Sequence, residues 1–276
     1  MTAMDGETGE SGAVRLLTEV VPRAGGTPWL LLPGWQQSAA HWTPLARWLS
    51  GAGITLYAAD MATAAAGCTA PRGSLARTEE LVDRLLGEPV TGRAAVAVGH
   101  SAGAPLAGLL AAALTSLRGV VLVEPVAAQF GAAPPRPPTP GMPGAPGGPR
   151  TLRDQYPMAA ASTLRSIDAA ARRLSRTEPG PPPPAAADDR RAARAGRALA
   201  AARVPVLVVR GQASALLSAE DARTLAALPP SGRCVTLLDA GHSPHIDRPR
   251  DTAAQLTAFA AELSGPSPSY AGASRE

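Results

Sequence analysis

The chain has 276 residues, enough for one α/β domain carrying an insertion, and 45% of them are apolar, which excludes a wholly disordered polypeptide. Aromatic residues supply only 3%, so the core has to come from aliphatic side chains, many of them alanine. The formal charge of +4 arises from 26 basic residues, all arginine and scattered along the chain without interleaved aromatics, which argues against a nucleic-acid partner.

No stretch approaches the ~20 continuous apolar residues of a membrane span, and the polar segment 1–12 has no signal-peptide core. A cytoplasmic protein without a membrane partner is therefore expected. Cys68 and Cys234 lie far apart, form no CxxC motif and read as two buried thiols.

Taken in chain order, Val14 to Val21 reads as a first strand, followed by a turn at residues 23–26. Trp29-Leu30-Leu31-Leu32, between Pro28 and Pro33, is a short apolar run bounded by breakers and favours a buried strand. Thr43-Pro44 has the form of an N-cap with proline at the first helical position, opening a helix through Leu49. Ile54 to Ala58 is the next buried strand, running on to Asp60. Ser74 then caps a helix with Leu75, Leu81, Val82, Leu85 and Leu86 along one face. A strand at Arg93–Val98, a helix at Ala102–Leu114 and a strand at Gly119–Val123 follow. This alternation implies parallel pairing with crossover connections.

The rhythm breaks after Val126. Residues 134–149 are dominated by proline and glycine, 151–174 have a helical pattern with Leu152, Tyr156, Met158, Leu164 and Ile167 as inward positions, and 179–184 form a second breaker. Asp188–Ala202 reads as a further helix. Alternation resumes with a strand at Val204–Val209, a helix at Ala219–Leu228, a strand at Val235–Leu238 and a closing helix at Asp251–Leu263. The organisation expected is an α/β core in two parts, 13–126 and 203–264, interrupted by a mostly helical lid insert at 127–202, with tails at 1–12 and 265–276.

The sharpest chemical signal is Gly99-His100-Ser101-Ala102-Gly103, which follows an apolar strand and opens a helix. In that setting a serine sits on a strained turn, small residues beside it let strand and helix approach, and its hydroxyl projects from the carboxyl edge of the sheet. Gly241-His242-Ser243-Pro244-His245 lies between the last strand and the last helix, which makes His242 the candidate base for Ser101. His245 reads as a supporting or solvated residue. His242 and His245 lack the further ligands a metal site needs, so neither metal nor cofactor is expected. His41 and His100 show no partner in sequence and read as structural.

Together with Leu30-Leu31-Leu32-Pro33-Gly34-Trp35 and Asp60, these motifs resemble the α/β-hydrolase superfamily over nearly the whole chain, from about Leu16 to Leu263. The resemblance implies a mostly parallel α/β-hydrolase sheet flanked by helices, and a serine nucleophile at Ser101. It also implies an oxyanion hole built from the backbone N–H of Ala102 and of Trp35 or Gln36. Many members carry the third catalytic group, an aspartate, after the strand corresponding to Val204–Val209. The stretch 210–217 contains no carboxylate. Glu124, in Leu122-Val123-Glu124-Pro125, occupies the place used by some members, certain haloalkane dehalogenases among them. A glutamate ending a buried strand needs a partner, and either His242 or an arginine such as Arg118 or Arg136 can supply it. The catalytic reading is favoured.

The activity this implies is cleavage of a carboxylic ester, lactone or thioester of a small molecule through an acyl-enzyme on Ser101. Acyl transfer, a lyase step or cyclisation of a biosynthetic intermediate is the alternative, and a non-catalytic ligand-binding member is a third. Trp35, His100, Phe130, Tyr156 and Met158 are the candidate pocket residues, although Trp35 suits core packing equally well. Arg150, Arg153 and Arg165 read as a solvated helix face.

Overall fold

The computed structural model describes residues 16–20, 25–35, 37–134, 151–174 and 189–264. The breakers at 135–149 and 179–184, the tails, Arg136, Arg150 and the oxyanion candidate Gln36 lie outside them.

Seven strands form one sheet among the described residues: β1 (Leu17–Glu19), β2 (Thr27–Leu32), β3 (Ile54–Ala59), β4 (Val96–His100), β5 (Gly119–Val123), β6 (Val206–Gly211) and β7 (Gly232–Leu237). Their spatial order is β1-β3-β2-β4-β5-β6-β7, with β1 antiparallel to β3 and every other pair parallel. The order steps outwards from β2 in both directions, so the carboxyl ends of β4 and β5 open side by side at the centre of one edge.

The helices are α1 (Thr43–Leu49), α2 (Met61–Ala66), α3 (Leu75–Leu86), α4 (Ala104–Ala113), α5 (Leu152–Gln155), α6 (Ala161–Leu174), α7 (Asp189–Ala200), α8 (Ala219–Ala226), α9 (Pro244–Asp247) and α10 (Pro249–Ser264). Alternate strand residues face opposite layers. Leu30, Leu32, Ala97, Val120, Leu122, Val206 and Val208 pack with α3, α4, α7 and α8. Trp29, Leu31, Val96, Val98, Val121, Val123, Leu207 and Val209 pack with α1 and α10. Burial on both faces is why these strands read as continuous apolar runs.

The two helical stretches of the insert go to different places. Ala195, Ala198 and Leu199 of α7 join the cluster with α4. Tyr156, Leu164, Ile167 and Ala170 instead form a separate cluster with Ala40 and Ile246, over the edge where the strands end. The helical pattern expected across 151–174 is interrupted between α5 and α6. Thr151 and Asp154 close a capping box on α5, and Pro157, which has no N–H to offer, ends it. Met158, expected to point inward, is 39% exposed. Both cysteines are unpaired and only partly buried. No helix among the described residues is long and apolar enough to cross a membrane.

Candidate active site

Ser101 begins the single turn that joins β4 to α4, and its φ of 47° is a left-handed conformation that side-chain-bearing residues rarely adopt. The turn is possible because Gly103 has no side chain: a Cβ there would lie 2.2 Å from the Leu32 carbonyl oxygen of β2. The helix start is thereby drawn against the sheet, and Ser101 stands at its edge with the N–H groups of the first helical turn nearby.

His242 lies in the loop between β7 and α9. Its Nε2 is 3.0 Å from Ser101 Oγ, and its Nδ1 is 3.1 Å from Glu124 Oε2. With the ring proton on Nδ1 donating to the carboxylate, the Nε2 lone pair faces the serine hydroxyl. Glu124 follows β5 directly, is completely buried and has a φ of 47°. Arg118, its competing partner in the sequence, donates to the Leu263 carbonyl instead.

The surroundings of Glu124 account for the absence of an acid at 210–217. Gly211 N–H donates to Glu124 Oε1 at 2.6 Å, and the Ser214 hydroxyl donates to Oε2 at 2.5 Å. Ser214 Oγ in turn accepts the N–H groups of Leu216 and Leu217, each at 3.2 Å. The loop after β6 thus supplies donors to a carboxylate that comes from β5. Sequence reading missed Ser214. A hydroxyl at the place where an acid was sought was its only trace.

His100 joins the turn after β2 to the His242 loop. Its Nδ1 is 2.8 Å from Gln37 Oε1 and its Nε2 is 2.8 Å from the His242 carbonyl oxygen. Burial pushes the His100 imidazole well below its usual range, and the neighbouring His245 and His242 push the same way. A neutral ring has one N–H and both partners are acceptors. Gln37 Oε1 also accepts the Gly34 N–H at 3.3 Å, and Gln37 Nε2–H donates to the Tyr156 hydroxyl at 3.2 Å. The single N–H of the neutral ring bonds one of its two partners, Gln37 Oε1 or the His242 carbonyl. A Cβ on Gly34 would sit 2.5 Å from His100 Nδ1 and 3.3 Å from Ser101 Cβ, so the 33–35 backbone runs directly against the serine.

The other histidines do not reach the serine. His245 is fully buried, stacks on Trp42 at 4.4 Å and has no hydrogen-bond partner on either nitrogen among the described residues. His41 accepts the Ser38 N–H at 3.0 Å and is pushed down to about 4 by burial. Asp247 Oδ2 accepts the Gly241 N–H at 2.9 Å and so braces the His242 loop from the α9 side.

A cavity of about 420 Å³ opens over Ser101, and its walls include Trp35, His100, Tyr156 and Met158. Phe130 is the exception among the expected pocket residues. It is 3% exposed and packed in the core between α4 and α7, where Gly108 and Gly196 make room for it. An apolar residue just after β5 is drawn into that layer because α7 covers it. Gln37, Gln129, Asp154, Leu216 and Asp247 line the cavity as well, none of them singled out by the sequence.

The sequence pattern of the Alpha/beta hydrolase family matches residues 29–255. No curated protein sequence matches the chain significantly. Among solved structures, a thermophilic esterase from Thermogutta terrifontis is similar with a TM-score of 0.54 at 19% identity, covering 90% of this chain and 93% of the other. The alpha/beta hydrolase enzyme MGS-MChE2, from the metagenome of lagoon sediments at Mar Chica, Morocco, gives 0.59 at 12% identity, with 90% and 95% covered. A thioesterase domain from the curacin biosynthetic pathway gives 0.55 at 20% identity, with 94% and 99% covered. At such identities these likenesses speak to the fold.

Proposed function

The chain belongs to the alpha/beta hydrolase family, and from that premise we propose that it is a serine hydrolase that cleaves a carboxylic ester, lactone or thioester of a small molecule. The observation that carries this reading is the position of His242, within 3.0 Å of Ser101 Oγ and 3.1 Å of Glu124 Oε2.

Ser101 Oγ attacks the carbonyl carbon while its proton passes to His242 Nε2. The imidazolium is stabilised by Glu124, whose charge is held by Gly211 N–H and the Ser214 hydroxyl. The oxyanion accepts the N–H of Ala102 and that of Trp35 or Gln36. His242 returns the proton to the leaving oxygen or sulfur as the carbon–heteroatom bond breaks, leaving the acyl group on Ser101. Water deprotonated by His242 then attacks the acyl carbon, and the serine regains its proton as the carboxylic acid departs. The segment 151–174 acts as the lid, since Asp154, Tyr156 and Met158 close one wall of the cavity.

Labelling with a fluorophosphonate probe, read by intact mass, tests the reading. One adduct on the wild type, absent from Ser101→Ala and strongly slowed in His242→Ala, is the expected result. Labelling that persists in Ser101→Ala places the nucleophile elsewhere and overturns it.

A further inference from the structure

The polar inventory of the cavity is one-sided. Asp247 and Gln129 line it, and Asp247 Oδ1 and Gln129 Oε1 are buried with no hydrogen-bond partner among the described residues. Both are acceptors, and an acceptor cut off from water and left unpaired costs free energy that a ligand's donor recovers. Asp247 is not free to turn away, because its other oxygen is held by the Gly241 N–H. A second carboxylate, Asp154, lines the same cavity, and no arginine does so among the described residues.

The groups facing Asp247 pull in two directions. Burial pushes its carboxyl upwards, whereas the N–H groups of Gly241 and Ser243 and the charges of His242 and Arg248 draw it down. Arg248 is already engaged, its guanidinium lying 2.9 Å from Asp239. On its outer side Asp247 borders a surface cleft with Arg47, Arg248 and Arg250, so these cations lie on the cleft and not on the cavity wall. Apart from the His242 ring, the cavity wall therefore carries no cationic side chain among the described residues.

Resting on the hydrolase reading above, we propose that the carbonyl substrate carries a protonated amine, and that this ammonium docks on Asp247 Oδ1. An ammonium supplies both the missing donor and the missing charge, whereas an anionic acyl chain meets two carboxylates at close quarters. Gln129 Oε1 accepts a neutral N–H or O–H of the same molecule. At the other polarity, the unpartnered indole N–H of Trp35 on the same wall donates to an acceptor of the substrate. Asp247 is thus a specificity-determining residue, distinct from the groups that make and break bonds.

The test is calorimetric binding to Ser101→Ala, which removes turnover from the measurement. The ligands are linear N-methyl amides of ω-amino acids in graded lengths, with ω-methyl and ω-carboxy isosteres of the same lengths. At the best-fitting length the amino ligand binds at least about tenfold tighter than the methyl one, the factor a charge-assisted hydrogen bond supplies, and the carboxy ligand binds weakest. Adding Asp247→Asn, which keeps a carbonyl oxygen for Gly241 N–H, collapses the amino-to-methyl ratio towards one. Equal binding of all three, or a preference for the carboxylate, overturns the proposal, and this holds on Ser101→Ala alone should the double variant fail to fold. The two readings fail separately. Amine preference in a wild type that takes no fluorophosphonate sinks the hydrolase and leaves the binding site, and the reverse pattern sinks the binding site alone.

Discussion

Glu124 combines two unfavourable features, a left-handed backbone and a fully buried charge. Each is of the order of 1–3 kcal/mol or more in isolation, and both are tolerated because three donors converge on one carboxylate. Replacing Glu124 by Gln puts an amide where His242 Nδ1–H needs an acceptor and favours the wrong imidazole tautomer. Turnover of a chromogenic ester should fall about 10⁴-fold. Ser214→Ala removes one donor and leaves the acceptor in place, so the loss should be near tenfold. Equal losses in the two variants would mean that Ser214 does more than hold the carboxylate. Ser101, His242 and Glu124 could all be nominated from strand-end and loop positions. Ser214 and Gln37 could not, because each acts on a group far away in sequence, and Asp247 could not, because its bond to the nearby Gly241 N–H belongs to no recognisable turn or cap motif.

At the scale of elements, the strongest signals were those in which side chain and backbone act within one turn. Ser74 accepts the Arg77 N–H at 3.1 Å as the cap of α3, as the sequence indicates. Thr43 was read as a cap but stands inside α1. A preceding 3₁₀ turn at Ala39–Trp42 moves the boundary, and the Thr43 hydroxyl donates back to the Ala40 carbonyl. The short helix α2 went unread although Asp60 caps it, since one turn of alanine-rich chain has no periodicity to detect. β7 starts at Gly232, earlier than its apolar run, because Gly232 pairs with Val206 of β6 whatever its side chain. Gly103 is an element-scale position with no room for a side chain. Gly103→Ala forces a methyl against the Leu32 carbonyl oxygen and should cost about 1–3 kcal/mol in denaturant unfolding, with slower serine labelling. Ser74→Ala should cost about 1 kcal/mol and leave labelling untouched. If Gly103→Ala proves as mild as the cap variant, strand and helix are less closely apposed than the structure has them.

For the molecule as a whole, three of the four histidines are buried, and this sets the acid limit of stability. His41 is neutral in the fold down to about pH 4, whereas the unfolded chain binds its proton at 6.5. Above 6.5 the two states bind equally. As pH falls through the window from 6.5 to about 4 the unfolded state gains the proton, so stability is lost, by about 3 kcal/mol for His41. His100 and His245 are depressed in the same direction by burial. Asp247, raised by burial, acts in the opposite sense, its contribution present at low pH and lost as pH rises through its folded pKa. Three groups against one give a melting temperature that falls steeply between pH 6.5 and 4. A flat profile would mean that the buried rings become protonated without unfolding. The ion pairs Arg172–Asp168, Arg233–Glu262 and Arg248–Asp239 are solvent-exposed, so added salt should move the midpoint little.

The alternation of apolar strands with amphipathic helices was sufficient to specify a parallel sheet, since a strand buried on both faces can be nothing but apolar and a crossover helix has one apolar face. The same local pattern marked the turn at Ser101, where Gly99 has to clear Gly103 and Ala104 of the following turn, although Gly103 itself is required by Leu32 of a distant strand. Only the tertiary structure decided which carboxylate faces His242, which residues close the cavity and where the two halves of the insert go. Those outcomes depend on groups far apart in the chain, such as Glu124 and His242, which are 118 residues apart. Their proximity follows from strand order, β5 lying beside β6 with the His242 loop above both. A hydrogen bond across strands leaves no periodicity in the sequence. Phe130 carries the same lesson: its apolar character was legible, but whether it faced the substrate or the core depended on α7, a helix packed against it from more than fifty residues away.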